Sequence, residues 1–340
     1  LSFGPGPSSP GEALRVLYVS PLKALAVDVE RNLRAPLAGI DALASHGGAL
    51  VRPVTVGVRT GDTSTKERAA HLKSPPDILV TTPESLYLML SGRARKVLAS
   101  IDTVIVDEIH QLAGEKRGAH FFLSLERLEA LREAARPTCP KLLRIGLSAT
   151  QRPLEVVAEV LAGRHGDAPR DVAIEAAPSD KRYRVVVGVP EGAFVGEGAL
   201  DPDERRAMSA WPKLHARLYE TLMAKRSTMI FVNSRRLAER LASALNDLDA
   251  EKRPLEEGEV RPPLALAHHG SLAHEAREEI EDKLKRGALR AIVATSSLEL
   301  GIDMGAVDQV IQVESPASVA SALQRVGRAG HQVGAPSVGV

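Results

Sequence analysis

The ten residues from Ile101 to His110, IDTVIVDEIH, decide the fold. The first six are mostly apolar and β-branched, which predicts a short buried strand, and that strand runs straight into Asp107 and Glu108. In an open parallel α/β sheet, ligands bind outside the carboxyl ends of the strands, so acids at this point are offered to a ligand rather than to the core. Phosphoryl-transfer enzymes use such a place: the Asp reaches Mg²⁺ and the following Glu reaches an attacking water. An Asp-Glu turn after a strand is also ordinary solvated chemistry, so the rest of the chain has to choose between the two readings.

Outward from this stretch, short apolar runs at 16–19, 51–58, 78–80, 103–106 and 141–147 are bounded by turn residues and separated by helical stretches. That alternation predicts βαβ units and a parallel sheet. The pattern breaks after residue 175: 183–189 could form a strand, but 191–203 (EGAFVGEGALDPD) is rich in Gly and acids and reads as a mobile connection. The expected division is a first unit at 1–175, a linker at 176–209 and a second unit at 210–340. In the second unit we expect a helix over 211–224 and a strand over 229–232. Ser234 then caps a helix over 235–248, and a strand follows over 264–268. Ser271 is expected to cap a helix over 272–286 that Gly287 ends, before strands at 291–294 and 309–313. A helix beginning near Ser318 puts Gln324 and Arg328 on one face if it persists that far.

Composition sets the outer bounds. A chain of 340 residues suits two domains, each large enough for its own core. Lys plus Arg is 44 against 43 for Asp plus Glu, so nucleic acid would have to be held by a local groove rather than by a global charge. The single cysteine, Cys139, can form no internal disulfide and is expected to be inert in a reducing compartment. No apolar run approaches the roughly 18 residues of a membrane span, and no export signal opens the chain, so no membrane partner is expected and a cytoplasmic location is. Aromatic residues are 3% of the chain, which argues against an extended base-stacking platform, and Trp211 is expected to pack the hinge helix. His268, His269 and His274 lie close in sequence but lack a matching ligand set for a metal.

Further segments follow IDTVIVDEIH in a fixed order: Ser148-Ala149-Thr150 closing a strand, IFVNSRR at 230–236, HHGSL at 268–272, ATSSLELGID at 294–303 and QRVGRAGH at 324–331. SPLKALAVD at 20–28 and TTPESL at 81–86 precede it. Together these resemble motifs Ia, Ib, II, III, IV, V and VI of the DExH-type helicases of superfamily 2, and most closely the large helicase-related (Lhr-like) group, from residue 16 to 332. The resemblance implies two RecA-like lobes with parallel sheets, the first incomplete at its N-terminus. It further implies an ATP-dependent helicase or translocase acting on single-stranded DNA, or on a duplex with a single-stranded tail. Movement from 3′ to 5′, a DNA repair role and further C-terminal domains in the full-length protein come with it.

Carried over residue by residue, the resemblance makes Asp107 the Mg²⁺ ligand and Glu108 the residue that orients or deprotonates the attacking water, while Gln324 and Arg328 face the triphosphate from the second lobe. Arg328 is the arginine finger. Gly301, Asp303 and Arg325 join the nucleotide set, although Asp303 could simply stabilise its turn and Arg325 could pair with acids of the facing lobe. Ser20, Pro21, Lys23, Thr82, Pro83, Asn233, Arg235 and Thr295, at strand ends and helix starts, are assigned to backbone phosphates, and Ser148 and Thr150 to a hydroxyl relay between the two sites. His331 stands where many relatives have a second arginine. No Gly-x-x-x-x-Gly-Lys-Ser/Thr occurs, nor any Gly-Lys pair, so the loop that would cradle the phosphates is missing, and the glycine-rich turn GVRTGDTS at 57–64 belongs beside the nucleic acid. The chain therefore reads as a fragment lacking motif I, with negligible turnover expected on its own. Two alternatives stay open: an RNA helicase of the same superfamily, and a nucleic-acid-binding scaffold without ATPase activity.

Overall fold

The apolar runs become strands in the computed structural model, which describes residues 14–46, 52–148, 153–176, 182–188, 211–254, 256, 260–299, 307–329 and 337–340. The chain divides into two units, Leu1–Ala176 and Ala177–Val340, and each is built on its own parallel sheet. The fold class read from the sequence, α/β with two parallel sheets, is the one observed.

In the first unit, β1 (Val16–Val19), β2 (Val56–Arg59), β3 (Ile78–Thr81), β4 (Thr103–Val106) and β5 (Leu143–Gly146) lie in the order β2-β3-β1-β4-β5. The helices are α1 (Lys23–His46), α2 (Thr65–Lys73), α3 (Pro83–Ser91), α4 (Arg95–Leu98), α5 (Lys116–Ala135) and α6 (Leu154–Ala162). Leu17, Val19, Leu79, Val104 and Val106 bury against Leu86, Met89, Phe121 and Leu125 of α3 and α5. Each such side chain contributes about 1.5–3 kcal/mol when fully buried. At the edge, β5 is shorter than the 141–147 run and leaves Leu143, Ile145 and Leu147 exposed. Its Arg144 faces inward, bonded to Glu126 and Glu129 of α5, which also hold Arg170 beyond the hairpin of β6 (Arg164–His165) and β7 (Ala168–Pro169).

The second unit contains β8 (Tyr183–Val185), β9 (Thr228–Phe231), β10 (Ala265–His268), β11 (Ala291–Ala294), β12 (Gln309–Gln312) and β13 (Ser337–Gly339), in the order β10-β11-β9-β12-β13-β8. Its helices are α7 (Trp211–Met223), α8 (Arg235–Lys252), α9 (His274–Lys285) and α10 (Val319–Val326). β8 comes from the stretch expected to be linker: it pairs with β13 in parallel, Tyr183 opposite Ser337, so that part of the connector belongs to the second sheet. The Gly-rich 191–203 segment lies outside the described residues. Trp211 opens α7 and, with Leu214 and Met223, packs against the core of the second unit.

Leaving β8 aside, the two sheets are wound alike. The chain enters at the centre (β1, β9), goes to one edge (β2, β10), returns to fill the gap (β3, β11) and then crosses to the other side (β4 and β5, β12 and β13). Equivalent strand ends can therefore be named in the two units.

Several helix boundaries depart from expectation: α8 runs past 248 to Lys252, and the start of α9 and the end of α10 also differ. Ser271 does not cap α9: its hydroxyl accepts from Arg235 Nη1 at 2.5 Å, and the helix starts at His274 behind Ala273, with no side-chain cap. α10 begins where expected, with Ser318 Oγ capping it by accepting from Ser321 N at 3.1 Å, but it stops at Val326, where the Gly327 N–H bonds Leu323 O at 2.8 Å. Arg328 therefore stands in the turn after the helix rather than one turn along the face of Gln324. Gly287 ends α9 as expected, with φ +71°, a backbone angle that glycine adopts without cost.

Candidate functional site

Parallel register brings the expected residues of the first unit together. Val19 lies opposite both Thr81 and Val106, the Ser20 N–H bonds Thr81 O at 2.9 Å, and the Asp107 N–H bonds Val19 O at 2.9 Å. Ser20, Thr82 and Asp107 thus leave three neighbouring strands at their carboxyl ends. Asp107 Oδ1 accepts the Glu108 N–H at 3.0 Å, and Glu108 sits in the left-handed region at φ 43°, ψ 44°. A non-glycine residue there costs about 1–2 kcal/mol. His110 follows, its Nδ1 3.1 Å from Ser148 Oγ and 3.5 Å from Glu108 Oε2, so Glu108 and the hydroxyl after β5 meet at the imidazole. Tyr18 points to the same place: burial, then the Asp107 charge and hydrogen bond, then Glu108, all push its phenol well above the ordinary value. It stays a neutral donor to Asp107.

Around this point the residues assigned to nucleic acid form two turns. Ser20 is buried, with its hydroxyl donating to Leu22 O at 3.2 Å, while the Pro21 carbonyl accepts from Arg117 Nη2 at 2.7 Å. Thr82 is the residue before α3, with Pro83 in the first helical position, and its hydroxyl donates to Ser85 Oγ at 3.1 Å instead of capping the helix. Lys23, at the start of α1, reaches Asp62 Oδ1 at 2.6 Å, which brings the Thr60-Gly61-Asp62 turn after β2 to the same edge. Thr150 lies outside the described residues.

The second unit repeats the plan. Asn233 after β9 donates to Ser315 O at 2.9 Å and to Glu314 Oε2 at 3.3 Å. Arg235, at the start of α8, reaches Ser271 in the turn after β10, as Lys23 reaches Asp62. Thr295 follows β11, its N–H on His268 O at 3.2 Å. His268 and His269 pair with carboxylates, Nε2 to Glu281 at 2.9 Å and Nε2 to Glu239 at 2.7 Å.

Arg325 corrects the expectation that put it on the nucleotide or on acids of the other lobe. It is 4% exposed and held within its own unit. Its Nε and Nη2 donate to Glu299 Oε2 at 3.0 and 2.9 Å, Nη1 donates to Gln312 Oε1 at 2.6 Å, and the guanidinium lies 5.2 Å from the Phe231 ring centroid. A charge so fully paired and buried fixes structure. Gln324 and Arg328 remain partly exposed, and Arg328 Nη2 donates to the Glu299 carbonyl at 2.8 Å. Gly301, Asp303 and His331 lie outside the described residues.

Glu299, Gln312, Tyr18, Glu314 and Arg117 were not found by sequence reasoning. Glu299 lies inside ATSSLELGID and Tyr18 just ahead of SPLKALAVD, but nothing in their spacing announces a partner. Glu314 has φ 68°, and it and Glu108 are the two non-glycine residues with positive φ among the described residues.

Among the described residues no group of three or more His, Cys, Asp or Glu could hold a metal ion as a protein cage. A partly exposed carboxylate at a strand end still fits Mg²⁺, which is commonly bound through one or two carboxylates with phosphate oxygens and water. Asp107 meets that requirement.

Residues 8–159 match the DEAD/DEAH box helicase family, and residues 213–332 match the helicase conserved C-terminal domain. The chain is 50% identical to the Lhr helicase/probable uracil glycosylase of Mycolicibacterium smegmatis over 97% of its own length and 22% of that protein's. It is 46% identical to the Lhr helicase/uracil glycosylase of Escherichia coli, over 96% of this chain and 22% of the other. It thus spans about a fifth of the length of these curated relatives. Among solved structures, that of the Mycobacterium smegmatis helicase Lhr bound to ssDNA and AMP-PNP superposes with a TM-score of 0.77 at 54% identity, covering 97% of this chain and 40% of that one. The chain thus carries a DEAD/DEAH box helicase region followed by a helicase conserved C-terminal region, and it is a partial homologue of the Lhr helicases.

Proposed function

We propose that this chain is the motor core of an ATP-dependent DNA helicase or translocase, with nucleotide chemistry at the Asp107–Glu108 turn and backbone phosphates held at the neighbouring strand ends. The observation that carries the reading is the convergence of Ser20, Thr82 and Asp107 on adjacent carboxyl ends of one sheet, where nucleotide and nucleic acid can be sensed together. DNA is preferred to RNA because the 54% identical Lhr structure holds ssDNA and AMP-PNP. Movement from 3′ to 5′ and a repair role belong to the same proposal.

In this reading Asp107 would hold Mg²⁺, which when bound supplies charge neutralisation on the phosphates. Glu108 accepts a proton from the attacking water, and its backbone is held in the left-handed region at the end of the strand. Arg328 is the finger residue, Gln324 supports it, and Gly301 and Asp303 line the nucleotide. Ser20, Pro21, Lys23, Thr82, Pro83, Asn233, Arg235 and Thr295 grip phosphates without reading sequence. Ser148 and Thr150, with His110 between the first of them and Glu108, couple the two sites.

The test is DNA-stimulated ATP hydrolysis by the full-length protein. Glu108→Gln should lower kcat about 10²–10⁴-fold. Arg328→Ala should lower it about 10³–10⁵-fold with little change in nucleotide binding. Undiminished hydrolysis by Glu108→Gln removes the catalytic assignment. A second reading, a nucleic-acid-binding module without turnover, is favoured by the absence of any Gly-Lys phosphate loop in these 340 residues. It predicts ssDNA binding by this chain with no ATPase activity, and robust turnover by the isolated chain would exclude it.

A further inference from the structure

Arg117 belongs to none of the helicase motifs, yet it joins two of them. It is the second residue of α5. Its Nη2 donates to the Pro21 carbonyl at 2.7 Å, while Nε and Nη2 donate to Glu84 Oε1 and Oε2 at 2.5 and 3.1 Å. Pro21 is in the turn after β1 and Glu84 in the first turn of α3 after β3, so one guanidinium spans the two places where phosphates are expected. Its own base is fixed from behind. A Cβ on Gly118 would come within 1.6 Å of the Leu112 carbonyl oxygen, so the start of α5 is seated directly on the turn that follows Glu108, where no side chain fits. The Arg117 hydrogen bond also holds the Glu84 carboxyl below its ordinary range, so that acid stays ionised beside the site.

The second unit offers an independent parallel. Arg325, on the helix after β12, bonds Glu299, which follows Thr295 at the end of β11. Arg117, on the helix after β4, bonds Glu84, which follows Thr82 at the end of β3. The two sheets are wound alike, so this arginine-to-glutamate link occurs at equivalent places in both.

We propose that Arg117 is a positioning residue for nucleic-acid binding: through Pro21 and Glu84 it sets the spacing of the two phosphate-facing turns of the first unit and carries that spacing to the turn behind Glu108. The inference rests on the reading of Ser20, Pro21, Thr82 and Pro83 as phosphate contacts. A guanidinium fork is required because one planar group must satisfy a carboxylate and a carbonyl in fixed directions, which a lysine ammonium does not do.

The rival is that Arg117 simply contacts a phosphate, and the signs of two substitutions separate the ideas. Removing the Glu84 charge beside a phosphate path should strengthen binding on electrostatic grounds alone. If Glu84 is one arm of a brace, the same change weakens it. The measurement is the Kd of the 340-residue chain for a fluorescent oligo-dT single strand at low salt, with the thermal unfolding midpoint of each variant alongside. We expect Glu84→Gln and Arg117→Lys each to weaken binding about tenfold. The double variant should be no weaker than either alone, and the midpoints should move little because the pair is exposed. Equal or tighter binding by Glu84→Gln overturns the brace, as does full retention by Arg117→Lys where Arg117→Ala loses affinity. A shifted midpoint with unchanged Kd reduces the pair to a structural one and also overturns it. If the unaltered chain does not bind the strand, the phosphate reading itself fails and the brace with it.

Discussion

Arg117 in the first unit and Arg325 in the second both reach from the helix after the fourth wound strand to a glutamate after the third, but Arg117 does so in water and Arg325 does so out of it. Side-chain exposure is 36% and 59% for Arg117 and Glu84, against 5% and 10% for Arg325 and Glu299. An exposed pair contributes about 0–1 kcal/mol and can yield to a ligand, whereas a buried pair has already given up its water and cannot be opened without stranding a charge. The same link therefore serves as an adjustable spacer in one unit and as a fixed post in the other. The fixed post also bears on Arg328, whose guanidinium rests on the Glu299 carbonyl.

The contrast is most easily broken with Arg325→Ala. It should cost about 3–5 kcal/mol in urea unfolding, because Glu299 would be left buried and unpaired, while Arg117→Ala should cost under about 1 kcal/mol. Arg325→Met with Glu299→Leu should recover most of the loss, since replacing both partners by apolar groups leaves no charge stranded. Similar costs for Arg325→Ala and Arg117→Ala would mean the two links do not differ in kind.

Each unit also has a buried acid that pins a loop. In the first, burial pushes the Asp77 carboxyl up, but hydrogen bonds from Arg52 and Thr55 outweigh it and leave the group below its ordinary value. In the second, burial is likewise outweighed at Asp249 by Arg261, Arg253 and Tyr219, and the carboxyl again sits low. A folded value below the unfolded one gives stability that is complete above the unfolded pKa, about 3.9, and is lost as pH falls through the folded value. Acid unfolding should therefore begin below about pH 4. Asp249→Asn should cost about 1.5–3 kcal/mol at pH 7 and flatten the acid limb of the second unit, while Asp77→Asn flattens that of the first. A pH profile unchanged by both substitutions would show that other carboxylates control it.

Strain is the next smaller difference. Glu108 and Glu314 follow the equivalent strands β4 and β12, and both have positive φ. Glu314 accepts a hydrogen bond from Asn233 and so has a structural use for its conformation. If the Glu108 conformation serves catalysis, Glu108→Gly should raise stability by up to about 1 kcal/mol, less what its 3.5 Å contact with His110 contributes, while abolishing turnover of the full-length protein, whereas Glu314→Gly should gain less because it gives up a hydrogen bond from Asn233. Equal gains at the two positions would remove the functional reading of the strain.

What the sequence made legible follows from these physical scales. The strands were readable because β-branched runs such as 103–106 and 291–294 announce themselves locally, and the strand-end positions of Ser20, Thr82, Asp107 and Thr295 came with them. Ser234 could be read as a cap, and Ser318 as the neighbourhood of a helix start, because such signals are settled within three residues. Ser271 looked the same but was taken by Arg235, which is 36 residues away. Arg325 was misjudged for the same reason: helical spacing says which way a side chain leaves its helix, and only the fold brings Glu299, Gln312 and Phe231 to meet it. β8 was uncertain because a three-residue edge strand draws its identity from β13, more than 150 residues away. The Arg117–Glu84 link joins residues 33 apart and leaves no local trace.

The smallest test concerns helix starts. α2 opens with a full capping box: Ser64 Oγ accepts from Glu67 N at 3.2 Å and Glu67 Oε2 accepts from Ser64 N at 2.9 Å. α10 has only half of one, Ser318 accepting from Ser321 N. Counting bonds, Ser64→Ala should cost more, yet α2 buries no residue, whereas α10 buries Ser321, Arg325 and Val326. A helix that buries nothing can fray without disturbing the core, so its cap is measured locally; one that holds a buried arginine passes the loss to the whole unit. We expect Ser318→Ala to cost about 1 kcal/mol in global unfolding, and Ser64→Ala to speed amide exchange over 65–73 with a global change of only a few tenths of a kcal/mol. The opposite ranking would mean that α2, and the Asp62 turn it follows, is built into the stable part of the first unit, and the phosphate-facing edge there would then be as rigid as its counterpart in the second.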